Sequence, residues 1–226
     1  MTTDPSFSRS LLAQAQPYIA AQVNKPFLQG LIHGTLPVDR FEYWLKVDYP
    51  YLLNFIKVMA VGMAKADTLQ DMSVFLEHIR SIEKEMRDHE AHAARIGLAK
   101  EALLSYQPGP LKYSYMRHQL STAHQGTVGE TQAAVLACQW GYGECCRTLL
   151  QQYGINADNP YQKFFAFHAS EEHLPGLQLS LDLLDRHAAT STEPQRQKMT
   201  TAFMISVRHE TMLWDEYYNK VVWESY

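Results

Sequence analysis

Between Pro37 and Ala66, apolar and aromatic residues recur every three or four positions: Phe41, Trp44, Leu45, Tyr51, Leu52, Phe55, Val58 and Met59. That spacing gathers them on one side of a helix. Nowhere does the chain show the strict two-residue alternation, bounded by turns, of a half-buried strand. Stripes without alternation leave one way to cover apolar surface, helix against helix. The expected fold is all-α, one domain spanning residues 1–226, built from about seven to nine helices.

Glycine and proline punctuate the pattern. Asp4-Pro5 reads as an N-cap followed by a first-turn proline, opening a helix to about Val23 that Lys25-Pro26 ends. Gly30 and Gly34 bracket a short connector, and Pro37 with Asp39 opens the second helix. Pro50 falls inside that helix, where a kink is expected because proline cannot bond back to the Lys46 carbonyl. A third helix runs from Thr68 to Ile96 and stops at Gly97, and a shorter piece, 100–106, precedes the break Gln107-Pro108-Gly109-Pro110. Helices are expected at about 111–124, 129–153, 159–187 (kinked or split at Pro175-Gly176) and 193–223. Thr192-Glu193-Pro194-Gln195 fits a capping box opening the last.

Composition excludes several classes of function. The net charge is −4 and the pI is near 6.2, which gives no electrostatic footprint for nucleic acid. No apolar run approaches the roughly 20 residues of a membrane span, and the N-terminal residues lack a basic stretch followed by an apolar one, so no signal peptide is expected. Three cysteines, two of them adjacent (Cys145 and Cys146), form no disulfide framework. A reduced, cytoplasmic protein is expected.

Three elements carry candidate chemistry. Cys138 and Tyr142 stand four apart, so a phenol lies one turn along the face that bears the thiol. Asp48 and Tyr51 stand three apart beside Pro50, and an unpaired carboxylate on an otherwise apolar face is costly unless it is used. Glu210 lies on the final helix among Ile205, Ser206, Val207, Leu213 and Trp214. Cys145 and Cys146 have no comparable surroundings and are assigned to packing. A rival constellation places Glu85, His89 and His92 at i, i+4 and i+7, with His168, Glu172 and His173 further on. Such groups can hold iron or manganese between helices, although the usual Glu-x-x-His spacing is not met.

The segments Lys25–Pro37, Phe41–Leu53 and Pro110–Tyr115, the Cys138 stretch, Asn159–Lys163 and the Glu210 helix, in this order, resemble the TenA family (thiaminase II, aminopyrimidine aminohydrolase) over nearly the whole chain. The resemblance implies a haem-oxygenase-like helical fold and a homotetramer. It implies that Cys138 is a nucleophile, that Asp48 binds the exocyclic amine and adjacent nitrogen of an aminopyrimidine, and that Glu210 handles protons at the opposite ring nitrogen. Tyr51, Tyr115 and Tyr142 fall where the family places tyrosines around the ring and thiol. At one wall position the family commonly has a tyrosine where this chain has His168, and Phe167 is the residue that could substitute for it.

The implied reaction is hydrolysis of 4-amino-5-aminomethyl-2-methylpyrimidine to the hydroxymethylpyrimidine and ammonia, with thiamin as a slower substrate. In this scheme Glu210 protonates the ring, the Cys138 thiolate adds to the activated carbon, and Asp48 fixes the ring and helps draw the proton from sulfur. No metal or organic cofactor is expected, and the partners are the small molecule alone, without nucleic acid or membrane. The competing readings are a metal-dependent oxidase on the same scaffold and a non-catalytic pyrimidine-binding or regulatory protein.

Overall fold

The computed structural model describes residues 6–95 and 97–224. Among the described residues, ten α-helices and one 3-10 turn account for the regular structure, and no strand occurs. In chain order the helices are α1 (Phe7–Gln22), α2 (Pro26–Ile32), α3 (Val38–Lys65), α4 (Leu69–Arg95), α5 (Lys100–Leu104), α6 (Pro110–Gln125), α7 (Val128–Tyr153), α8 (Gln162–His168), α9 (Leu174–Ala189) and α10 (Glu193–Asn219).

The helix count exceeds the expected seven to nine for two reasons. Pro26 does not merely end the first helix. It occupies the first turn of α2, where its missing N–H leaves nothing unsatisfied. Gly30, expected in a connector, lies inside α2, where Leu36 passes so close that a Cβ would meet it at 3.0 Å. The turn itself is made by Gly34, at φ +69°. The 159–187 segment divides not at Pro175-Gly176 but ahead of it, through a 3-10 turn at Glu171–His173, and Pro175 sits in the first turn of α9.

Other ends also move. The Asp4-Pro5 cap and the Ile96 terminus lie outside the described residues. The described start of α1 is capped by the Ser6 hydroxyl, which accepts from Arg9 N–H at 3.5 Å. α3 is continuous across Pro50. At the start of α10 the Gln195 side chain accepts from Thr192 N–H at 2.7 Å. That helix closes at Asn219, with Lys220 left-handed, four residues before the expected 223.

α7 is the buried centre. From Thr131 to Ala137 every residue is buried, so no side of the helix faces water there. Alanines 133, 134 and 137 let neighbouring helices approach closely. α10, α6, α3 and α9 all pack against α7, while α4 packs on α3. α8 is held by Asn159, whose Nδ2 donates to the last carbonyls of α2, Leu31 O (3.0 Å) and Ile32 O (2.9 Å), and by Tyr161, whose hydroxyl donates to Leu36 O at 2.6 Å. These bonds fix the segment leading into Phe167 and His168.

The α3–α4 contact sets the spacing of two site helices, and it depends on Gly62. A Cβ at that position would meet the buried Phe75 ring at 2.6 Å. Gly62→Ala should therefore destabilise the fold by about 1–3 kcal/mol through overpacking, despite alanine's better helix propensity. Thermal unfolding reads this as a lowered Tm.

Candidate active site

Burial along α7 relaxes at Cys138, where the helix meets a cavity of about 590 Å³. Asp48, Tyr51 and Glu85 line the cavity from α3 and α4, Cys138 and Tyr142 from α7, and Phe167 and His168 from α8. The sulfur is a free thiol. Burial pushes its pKa well above the ordinary cysteine value, and the nearby Glu210 carboxyl adds to that, so the resting group is S–H. The Tyr51 hydroxyl beside the sulfur works in the opposite direction, favouring the thiolate. Gln119 Nε2 donates to the same phenol oxygen at 3.2 Å. Tyr51 is held between the rings of Phe55 (5.5 Å) and Tyr115 (5.6 Å), both stacked.

Asp48 anchors the opposite wall. Its Oδ1 accepts from Lys112 Nζ at 3.0 Å, and its Oδ2 lies 3.1 Å from His89 Nε2. Burial works against its charge. The Lys112 ammonium and His89 outweigh that and hold the carboxyl below the usual aspartate range. Lys112 is only 1% exposed. Besides the Asp48 bond, its ammonium donates to the Tyr217 hydroxyl at 2.9 Å and sits 3.5 Å from the centroid of the Tyr51 ring. One buried cation thus ties the Asp48 carboxylate to the phenol beside the thiol.

Glu210, 2% exposed, has no hydrogen bond to either carboxylate oxygen. Burial raises its pKa to about 7, against the pull of Lys112. Glu210 and Tyr115 do not line the cavity, but they lie against the thiol and against Tyr51. The hydroxyls of Tyr51, Tyr115 and Tyr142 are pushed well above their ordinary values, first by burial, and remain neutral. Trp44 Nε1 donates to Tyr142 Oη at 3.5 Å. His168 lines the same cavity from the end of α8. Burial, with His89 nearby, lowers its pKa to about 3, so the ring is neutral, and it packs among Phe164 (4.4 Å) and Tyr142 (5.0 Å).

The histidine–carboxylate stripe is only partly assembled. Among the described residues Glu85 and His89 converge with Asp48, one ligand atom from each lying within 4.8 Å of the others. His92 packs instead on Phe41 at 5.0 Å, Glu172 pairs with Lys84 at 3.6 Å, and His173 packs on Phe167 at 4.9 Å. The Lys112 ammonium already supplies positive charge at Asp48, where a metal ion would otherwise be needed. Cys145 and Cys146 are both buried, and the Cys145 thiol donates to Gln22 Oε1 at 3.5 Å.

Sequence reasoning did not single out Lys112 or Gln119. Lysine is rarely fully buried, and only the contact between α6 and α3 turns it inward. Because Lys112 neutralises a buried carboxylate, Lys112→Met should cost about 3 kcal/mol or more by stranding Asp48, and adding Asp48→Asn should recover part of that loss. Denaturant melts of the two variants and wild type measure this coupling.

Residues 12–220 match the family model described as TENA/THI-4/PQQC. The chain is 32% identical over 219 residues to an aminopyrimidine aminohydrolase of Halalkalibacterium halodurans, covering 96% of this chain and 98% of that one. It is also 32% identical over 219 residues to an aminopyrimidine aminohydrolase of Bacillus subtilis, covering 96% and 92%. A TenA homologue from Pyrococcus furiosus superposes with a TM-score of 0.84 at 25% identity, over 93% of this chain and 99% of that one. A Shewanella denitrificans domain with a haem-oxygenase-like fold superposes with a TM-score of 0.73 at 15% identity, over 97% and 94%. The all-α architecture is thus haem-oxygenase-like, and the chain belongs to the TENA/THI-4/PQQC family.

Proposed function

We propose that the chain hydrolyses 4-amino-5-aminomethyl-2-methylpyrimidine to the hydroxymethylpyrimidine and ammonia in thiamin salvage, with Cys138 as nucleophile and thiamin as a slower substrate. The observation that carries this reading is the Cys138 thiol at the cavity wall, set against Tyr51 and an unpartnered Glu210 carboxyl. The aminopyrimidine aminohydrolases among its relatives support the choice of substrate.

The proton logic follows from the charges. Asp48 is held ionised by Lys112 and His89, so it suits accepting hydrogen bonds from an amine and a ring N–H better than taking a proton. Drawing the proton from sulfur, the second role expected of it, fits Glu210 instead, whose pKa near 7 lets it give and take protons at neutrality. Glu210 collects the thiol proton and delivers one to the ring nitrogen, so the electrophile is activated as the nucleophile is formed. The Tyr51 hydroxyl stabilises the developing thiolate. Sulfur adds to the neighbouring carbon, the C–N bond of the methylene arm breaks, water adds to the methylene, and sulfur leaves. The scheme requires no cofactor.

Ammonia release from the aminomethylpyrimidine tests this directly. Wild type should turn over in EDTA, Cys138→Ser and Glu210→Gln should each lose at least about 100-fold in kcat, and Cys145→Ser should stay active. Turnover in Cys138→Ser equal to wild type would discard the covalent route, and loss of wild-type activity in EDTA would favour the Asp48–Glu85–His89 cluster as a metal centre.

Glu210 also leaves a mark on stability. A carboxyl whose folded pKa is raised contributes stability that is full below its unfolded value of 4.5 and is lost as pH climbs through about 7. Glu210→Gln should accordingly match wild type in stability near pH 4 and exceed it by up to about 3 kcal/mol at pH 8. Denaturation curves at the two pH values check the sign.

A further inference from the structure

The cavity holds an acidic group that the scheme above does not use. Of the five carboxylates lining it, four are engaged. Asp48 is held by Lys112 and His89, Glu77 pairs with Arg80 at 3.7 Å, Glu172 pairs with Lys84 at 3.6 Å, and Asp182 accepts from Gln178 at 2.7 Å. Glu85 alone has no hydrogen bond or ion pair to its carboxylate among the described residues. Only its backbone carbonyl is engaged, by His89 Nδ1 at 3.1 Å. It is partly buried on α4, one turn before His89, and one of its oxygens lies within 4.8 Å of ligand atoms of both Asp48 and His89. Like Phe167 and His168, it also lines a second cavity of about 240 Å³.

The proposed substrate poses a charge problem that this group answers. Its leaving amine is a primary alkylamine, which is protonated at neutral pH. The carboxylate that receives the ring, Asp48, is already neutralised by Lys112, and His168 is uncharged, so neither meets a cation on the methylene arm. We propose that Glu85 is a specificity-determining residue that recognises the cationic leaving group of the substrate. The proposal rests on the hydrolase reading and goes beyond it by separating recognition of the ring, at Asp48, from recognition of the departing group.

Burial is the main cause that raises the Glu85 pKa to about 7, with Asp48 and Asp88 adding to the rise and His89 and Lys112 opposing it. An ammonium arriving beside it favours the ionised carboxylate. Held there as –NH3+, the arm leaves as neutral ammonia when the carbon–nitrogen bond breaks. The bonding pair departs with nitrogen, the positive charge stays on the pyrimidine, and no proton has to be found for the leaving group.

Two pyrimidines that differ only in the arm separate the possibilities. The aminomethyl compound is cationic, and the hydroxymethyl product is neutral and nearly isosteric. In Glu85→Gln, KM for the aminomethylpyrimidine should rise at least about tenfold, while the inhibition constant of the hydroxymethylpyrimidine should stay within about twofold of wild type. Glu85→Asp, which keeps the charge, should recover part of the loss. Equal weakening of both ligands would mean a structural role, unchanged values for both would mean no role, and either result overturns the proposal. Failure of wild type to release ammonia or to bind either pyrimidine would instead refute the hydrolase reading on which it stands.

Discussion

The buried bond between Lys112 and Asp48 organises this molecule more than any other contact. Two charges removed from water are stable only when each is paired and its remaining hydrogen-bonding capacity is used. Here the ammonium meets a carboxylate, a phenol oxygen and an aromatic face. The partners come from two helices far apart in the chain. Asp48 and Tyr51 belong to α3, Lys112 to α6 and Tyr217 to α10, so one cation fixes the mutual rotation of three helices around α7. Burial raises the other two acidic groups, Glu85 and Glu210, to about 7 against the pull of the same Lys112 ammonium, so both can exchange protons near neutrality.

Around that pair the site is layered. Among the groups lining the cavity, Tyr51, Tyr142 and His168 are uncharged and offer shape and weak donors. Against the thiol lies Glu210, denied any hydrogen bond, so its charge is costly and its proton is easily traded. The central helix α7 supplies the rigidity both need, because seven successive buried residues precede Cys138 and leave the sulfur little freedom to move.

Much of this was readable in advance, and the exceptions have physical causes. Asp48 with Tyr51 and Cys138 with Tyr142 show in the sequence because helical periodicity places such pairs on one face whatever the fold does next. Lys112 and Gln119 do not, because their significance comes from partners more than sixty residues away, across helix interfaces no local pattern encodes. Glu85 and His89 stood out as a metal-binding stripe. The residue that changes their meaning, Asp48 with its lysine, lies on another helix. The split between α8 and α9 was misplaced because Pro175-Gly176 is the conspicuous signal, whereas proline in a first turn starts a helix as readily as it ends one.

The short helix α8 carries a consequence of its own. Phe167 and His168 line both cavities, yet α8 bears neither the thiol nor any carboxylate of the site, and it is fastened to the fold through Asn159 and Tyr161. The reactive groups and the gauge of the chamber therefore sit on separate pieces of chain. Exchanging one aromatic ring on α8 for a smaller side chain would widen both spaces and admit bulkier molecules without disturbing a reacting atom. In such a layout the range of accepted molecules can drift from one descendant to another while the chemistry stays fixed.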